Sequence, residues 1–219
     1  MKFKDRKEAG LQLARLLAKY QGRPDVLVLA LPRGGVPVAF EIARELNLPL
    51  DVFLVRKIGL PEQPELAIGA IASGGTTFLN RSLIERFNVS SEALREIIER
   101  ETIEINRRER LYRKSSQPPS FADEIVILVD DGLATGASML VAVRALHKLG
   151  CRKIVVAIPV GAADTCSVFR TLVDDVVCVF TPENFDAVGK WYENFTQTSD
   201  EEVIRLLSFS QPRARRSAF

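Results

Sequence analysis

Four short segments set the tightest limit on what this chain can fold into. Val26–Leu31, Ile125–Val129, Ile154–Ile158 and Val176–Phe180 are apolar at every position. A strand apolar on both faces is covered on both faces, as in a parallel sheet with helices above and below. The intervening segments are helix-like. Leu13, Leu16, Leu17 and Tyr20 recur at i, i+3, i+4 and i+7, one face of a helix within residues 5–20. Val36–Leu46 reads as a helix closed by Asn47 and Pro49, and Val52–Val55 as the next strand. Leu66–Ala72 and Thr76–Leu79 flank Ser73-Gly74-Gly75, a hairpin signal. Ser90 or Ser91 caps a long helix running to about Arg113, followed by a break at Ser115–Ser120. Helices are predicted at Ala137–Leu149, Ala163–Leu172 and Asp200–Ser208, and QPRARRSAF closes the chain as a basic tail.

Strand–helix alternation implies right-handed crossovers and an α/β, doubly wound, mainly parallel sheet. The 219 residues suit a single domain. Such sheets bind ligands at the carboxyl ends of their strands. The loops after Leu31, Arg56, Val129, Ile158 and Phe180 are therefore the ones to read.

Composition removes several classes. Lys+Arg 30 against Asp+Glu 28 gives a net +2, too little to drive whole-surface nucleic-acid binding. His147 is the single histidine, which excludes sites needing two and makes a Ser-His-Asp hydrolase a poor fit. There is no GxxxxGK[ST] phosphate loop. Cys151, Cys166 and Cys178 show no CxxC spacing, so reduced thiols in a cytoplasmic protein are expected. The opening MKFKDRKEAG is charged and has no apolar core, so no leader is expected. The apolar runs are too short to span a membrane.

The loop after the apolar run Ile125–Val129 carries the chemistry. Ile125–Leu140 reads IVILVDDGLATGASML: a buried strand, two carboxylates, small residues, then a helix. Gly132 and Gly136 allow a tight turn and close ligand approach. The N–H groups of Ala134, Thr135, Gly136, Ala137 and Ser138 stand at a helix start, where the dipole favours a phosphate. Asp130 and Asp131 would repel that phosphate and need another partner: vicinal sugar hydroxyls or Mg²⁺. A phosphate beside two hydroxyls describes a ribose 5-phosphate. A capped helix with two solvated acids is the bland alternative.

VDDGLATGAS resembles the phosphoribosyl-diphosphate (PRPP) motif of type I phosphoribosyltransferases, residue by residue from Ile127 to Ser138. The resemblance implies that Asp130 and Asp131 hold the ribose hydroxyls and touch Mg²⁺ indirectly, through PRPP and water. It implies that 134–138 hold the 5′-phosphate. Leu31-Pro32-Arg33-Gly34-Gly35 resembles the family's diphosphate loop, giving that role to Arg33, Gly34 and Gly35. Residues 55–71, VRKIGLPEQPELAIGAI, resemble the mobile catalytic loop, particularly the adenine-type version, through Arg56, Lys57, Gly59, Leu60 and Pro61. Catalytic roles then fall on Arg56, Lys57 and, as proton acceptor, Glu65, with Glu62 as the alternative.

The implied reaction displaces diphosphate from C1 of PRPP by a nitrogen of a small-molecule acceptor such as a nucleobase. In 6-oxopurine members the position of Ala134 is usually an aspartate, so guanine or hypoxanthine fits poorly. The family's core corresponds to about residues 25–180, and its variable hood to 181–198. There Phe185, Trp191, Tyr192 and Phe195 cluster, and Phe185 and Trp191 are the base-stacking candidates. The bland alternative is that these aromatics form a small core. Arg107, Arg108, Arg110, Arg113 and Lys114 end the long helix. RNA contact is one reading, but the glutamates at 96, 99, 101, 104 and 109 favour a solvated helix. A homo-oligomer in nucleotide salvage is expected, and a non-catalytic PRPP or nucleotide sensor of the same fold is the alternative.

Overall fold

The computed structural model describes residues 2–113 and 121–210, without the side chains of Pro64 and Glu65. The predicted break at 115–120, Lys114 and the basic tail 211–219 lie outside the described residues. In chain order the elements are α1 (Arg6–Leu16, with a 3-10 turn at Ala18–Tyr20), β1 (Val26–Ala30), α2 (Gly35–Leu46), β2 (Leu50–Val52), β3 (Val55–Leu60), β4 (Gln63–Ala72) and β5 (Thr76–Leu79). There follow α3 (Arg81–Arg86), α4 (Ser91–Tyr112), β6 (Ile125–Val129), α5 (Ala137–Lys148), β7 (Lys153–Val160), α6 (Ala163–Arg170), β8 (Asp175–Phe180) and α7 (Asp200–Ser208).

The main sheet has the order β2-β1-β6-β7-β8, and all its pairings are parallel. Alternation along the strands splits the core. Val26, Val28, Ala30, Ile125, Ile127 and Val129 pack with α1, α2 and Val203 of α7. Leu27, Leu29, Val126 and Leu128 face the other way, onto Met139, Ala142 and Leu146 of α5 and Phe169 of α6. Full burial of such a side chain contributes roughly 1.5–3 kcal/mol, which is why the strands are apolar at every position. Asp5 caps α1 by accepting the Glu8 N–H at 2.9 Å, and Ser90 caps α4 through the Ala93 N–H at 3.1 Å. Asn47 ends α2 in the left-handed region, φ 54°.

The expected strand Val52–Val55 is split between two sheets. β1 stops pairing β2 at Ala30↔Val52, while Val55 already pairs Ala72 in a second, antiparallel sheet β3-β4-β5. Phe53 and Leu54 are buried at the corner. Leu54 N–H donates to Ser73 Oγ at 2.9 Å, and Ser73 N–H to Leu54 O at 2.8 Å. The expected hairpin forms at Ser73–Gly75, with Gly74 and Gly75 at φ 78° and 76°. Helix α3 has no counterpart in the sequence-based expectation; Asn80 caps it through the Leu83 N–H. Ile97 and Ile105 of α4 join Ile58, Leu60, Ile68 and Ile71 of the second sheet in one apolar cluster.

Candidate active site

The chain reverses direction across the main sheet between β1 and β6: β1 leads outward to β2, and β6 leads the other way to β7 and β8. Loops beyond that point diverge and leave a crevice. Both motif loops leave the sheet there.

The loop after β1 lies directly on the acid pair. Leu31 N–H donates to Val129 O at 2.9 Å, and the Pro32–Arg33 peptide is cis. A Cβ on Gly34 would stand 2.1 Å from Asp131 Oδ2. One on Gly35 would stand 2.7 Å from Val129 O and 2.9 Å from Asp130 Cα. Gly34 has helical torsions, φ −60° and ψ −33°, so closeness rather than torsion calls for glycine there.

Asp130 and Asp131 are both mostly covered. Asp131 N–H donates to Asp130 Oδ1 at 2.8 Å. Burial, and then the adjacent Asp131 charge, push the Asp130 carboxyl well above the ordinary carboxylate range. Burial also raises Asp131, opposed by the guanidinium of Arg6. Arg6 donates to Asp131 Oδ2 from Nε at 2.9 Å and Nη2 at 2.8 Å. Tyr192 Oη–H donates to Asp131 O at 2.6 Å.

The following loop is fixed from below and open above. Leu133 N–H donates to Val160 O, and Ala162 N–H to Leu133 O, both at 2.9 Å. Thr165 Oγ1 donates to Ala134 O at 2.7 Å. Gly136 takes φ 71°, and a Cβ there would lie 2.6 Å from Phe169 Cε2. No side chain caps α5, and Thr135, Ala137 and Ser138 are exposed. The first N–H groups of α5 therefore face outward with no intrahelical acceptor. The arrangement suits an anion at 134–138 and hydroxyl donors at 130–131.

A cavity of about 300 Å³ joins Arg33, Gly34 and Asp131 to Arg6 of α1 and to Phe195, Gln197 and Thr198. A larger cavity, about 570 Å³, lies between the β3–β4 hairpin and α4 and is lined by Arg56, Lys57, Leu60, Ile97, Arg100 and Glu101 among others. None of the strand-end loops of the main sheet reaches it, so the smaller cavity is the better candidate for ribose phosphate. Residues 55–71 form a paired hairpin closed at Leu60↔Gln63. Arg56 is tied to Glu101 of α4 by Nε at 2.8 Å and Nη2 at 2.6 Å. The structure thus groups Arg56 and Lys57 with α4, apart from the cavity of Asp131. Glu62 is exposed, and the Glu65 side chain lies outside the described residues.

Phe185 and Trp191 pack around Phe3, Ala9 and Val160, with Trp191 edge-on to Phe180 at 5.2 Å between ring centres. In this segment the ring that lines the cavity is Phe195, not either of the two base-stacking candidates. Arg33 reaches Asp200 at 3.8 Å, and Tyr112 of α4 donates a short hydrogen bond to the same carboxylate. Arg107 and Arg108 pair with Glu104, and Arg113 with Asp51 and Glu109. His147 Nε2 lies 3.0 Å from Leu172 O, a structural contact. The three cysteines form no disulfide. Sequence reasoning missed Arg6, Gln197, Thr198 and Asp200. Arg6 is 125 positions from Asp131, and no local pattern marks it.

Residues 3–194 match the family model described as phosphoribosyl transferase domain. Two curated relatives from Mycobacterium tuberculosis, one from each of two strains and both provisionally named phosphoribosyl transferases, are 45% identical over 205 residues. The match covers 94% of this chain and 46% of theirs, so the chain spans about half the length of the curated relatives it matches. A crystal structure of a Thermus thermophilus protein is 39% identical with a TM-score of 0.81, covering 94% of this chain and 98% of that one.

Proposed function

The chain belongs to the phosphoribosyl transferase domain family, and on that premise we propose that it transfers the 5-phosphoribosyl group of PRPP to a nucleobase or similar nitrogenous acceptor. The C1–O bond to diphosphate breaks, a C1–N bond forms from the acceptor's lone pair, diphosphate leaves with the electron pair, and the proton of the acceptor nitrogen passes to water. One observation carries the reading: Gly34 and Gly35 press onto Asp131 and Asp130, so diphosphate loop, acid pair and phosphate loop meet at one crevice.

The N–H groups of 134–138 hold the 5′-phosphate, and the acid pair accepts the ribose hydroxyls. Arg33 and the backbone of 33–35 receive the diphosphate, in place of the long contact to Asp200. Positive charge there matters more as the bond breaks, because charge then moves onto the leaving group. Asp130 and Asp131 have hard oxygen atoms that would hold Mg²⁺ indirectly, through PRPP and water, and the ion would supply charge neutralisation of the diphosphate. Alanine at 134 removes a carboxylate from the acceptor side, which favours an acceptor other than a 6-oxopurine. Among the described residues no helix is long and apolar enough to cross a membrane. The reading carries with it, as further proposals, nucleotide salvage in the cytoplasm and self-association.

The test is diphosphate release from PRPP and Mg²⁺ across a panel of nucleobases. Release with one acceptor supports the transfer. Tight PRPP binding with no release from any acceptor replaces it by a PRPP- or nucleotide-sensing role. The Arg56–Glu101 pair is the observation that favours this second reading, because it engages a proposed catalytic cation elsewhere.

A further inference from the structure

Arg6 stands outside every motif, yet it is the cation in direct contact with the acid pair. Its Nε and Nη2 both bond Asp131 Oδ2, and Nη1 bonds Thr196 O at 2.8 Å. Its guanidinium lies 3.9 Å from the centre of the Phe195 ring. The side chain is 11% exposed and that of Asp131 15%, so water screens the pair little. The fork thus locks one carboxylate oxygen from α1, while Thr196 and Phe195 lock the fork. A Cβ on Gly34 would stand 2.1 Å from the same oxygen, so the loop after β1 passes close to it. Oδ1 is not held by the fork and can accept from a hydroxyl. Lysine would supply charge without the planar, two-point hold.

We propose that Arg6 is a positioning residue that sets discrimination at the ribose: by clamping Asp131 Oδ2 it presents Oδ1 to the vicinal hydroxyls, so the protein selects ribose over 2-deoxyribose phosphates. The proposal rests on the ribose-phosphate reading above. It assigns α1 and the 195–196 segment a part in a site otherwise built from strand-end loops.

The experiment is calorimetry of ribose 5-phosphate, 2-deoxyribose 5-phosphate and inorganic phosphate against wild type, Arg6→Ala and Arg6→Lys. Wild type is expected to prefer the ribose ligand. Arg6→Ala should lower that preference about tenfold or more, the value of a lost charge-assisted hydrogen bond, and leave inorganic phosphate affinity unchanged. Arg6→Lys guards against a folding defect in the alanine variant; its preference should fall between the two, with melting close to wild type. A folded Arg6→Lys or Arg6→Ala protein that keeps the full wild-type preference overturns the proposal. A wild type that binds no ribose phosphate overturns the family-based reading along with it, and is thereby distinguished from failure of the clamp alone.

Discussion

Gly34→Ala separates the site from the fold. The added methyl would stand 2.1 Å from Asp131 Oδ2 and 2.7 Å from its Cγ, where ordinary contact begins at 3.4 Å. The backbone at Gly34 is helical, so alanine meets no torsional cost. A glycine replaced where alanine fits the torsions gains roughly 0.4–1 kcal/mol from the unfolded state. The strain therefore falls on the Asp131 carboxylate, which must move by more than an ångström. That lifts Oδ2 off Arg6, whose two bonds are 2.8 and 2.9 Å long. The displaced carboxylate also loses the charge-assisted bond it would offer a ribose hydroxyl, worth about 1.5–3 kcal/mol, equivalent to roughly tenfold to a hundredfold in affinity. Calorimetry should show ribose 5-phosphate binding weakened by that factor while inorganic phosphate affinity stays near wild type. Unchanged affinity would refute the idea that Asp131 holds the ribose.

Gly136→Val should abolish binding of ribose 5-phosphate and inorganic phosphate together and cost about 1–3 kcal/mol in urea titration, since φ 71° and Phe169 both oppose a branched side chain; normal phosphate binding by the variant would show that this loop is not the cradle. The folded-state pKa of Asp130 lies above its unfolded value, so its contribution to stability is complete below about pH 4 and is lost as pH rises toward the raised value. Asp130→Asn should accordingly flatten the fall in melting temperature as pH rises above about 4; an unaltered slope would place the titration elsewhere. Replacing Arg33 by alanine should lower diphosphate release at least tenfold, about 1.4 kcal/mol, with ribose 5-phosphate affinity retained; an equal loss in both would mean that Arg33 acts through the fold.

The strands and caps were legible because local physics decides them. Ile125–Val129 and Asp200–Ser208 fall where apolar continuity and periodicity put them, and Ser90 caps the long helix as expected. The strand at Val52–Val55 was misplaced for a tertiary reason. Phe53 and Leu54 are apolar because they fill a corner, and a buried corner reads like a buried strand. The hairpin at 55–71 was hidden by its glycines and prolines, which signal a loop until Ile58, Leu60, Ile68 and Ile71 are seen against α4. At the candidate site, the acid pair and the glycines after β1 stand out in the sequence, and the structure brings them together. Arg6 is marked by no local pattern, and Phe195, one of the clustered aromatics, comes against Arg6 only once residues 3–6 meet residues 191–196.

That meeting has a consequence for how the protein is made. Phe3 N–H bonds Trp191 O and Glu193 N–H bonds Phe3 O, both at 2.8 Å, and Arg6 reaches across 190 positions to Thr196. At about 5–20 residues per second, a nascent chain would carry Arg6 for roughly 10–40 s before Thr196 is synthesised. The main sheet has all its strands by then, but α1 still lacks the segment that orients its arginine. The hold of Thr196 on Arg6 therefore forms only after every strand of the main sheet has been made. On the proposal that Arg6 sets ribose discrimination, chains stalled before residue 196 should hold phosphate at 134–138 without telling ribose from 2-deoxyribose.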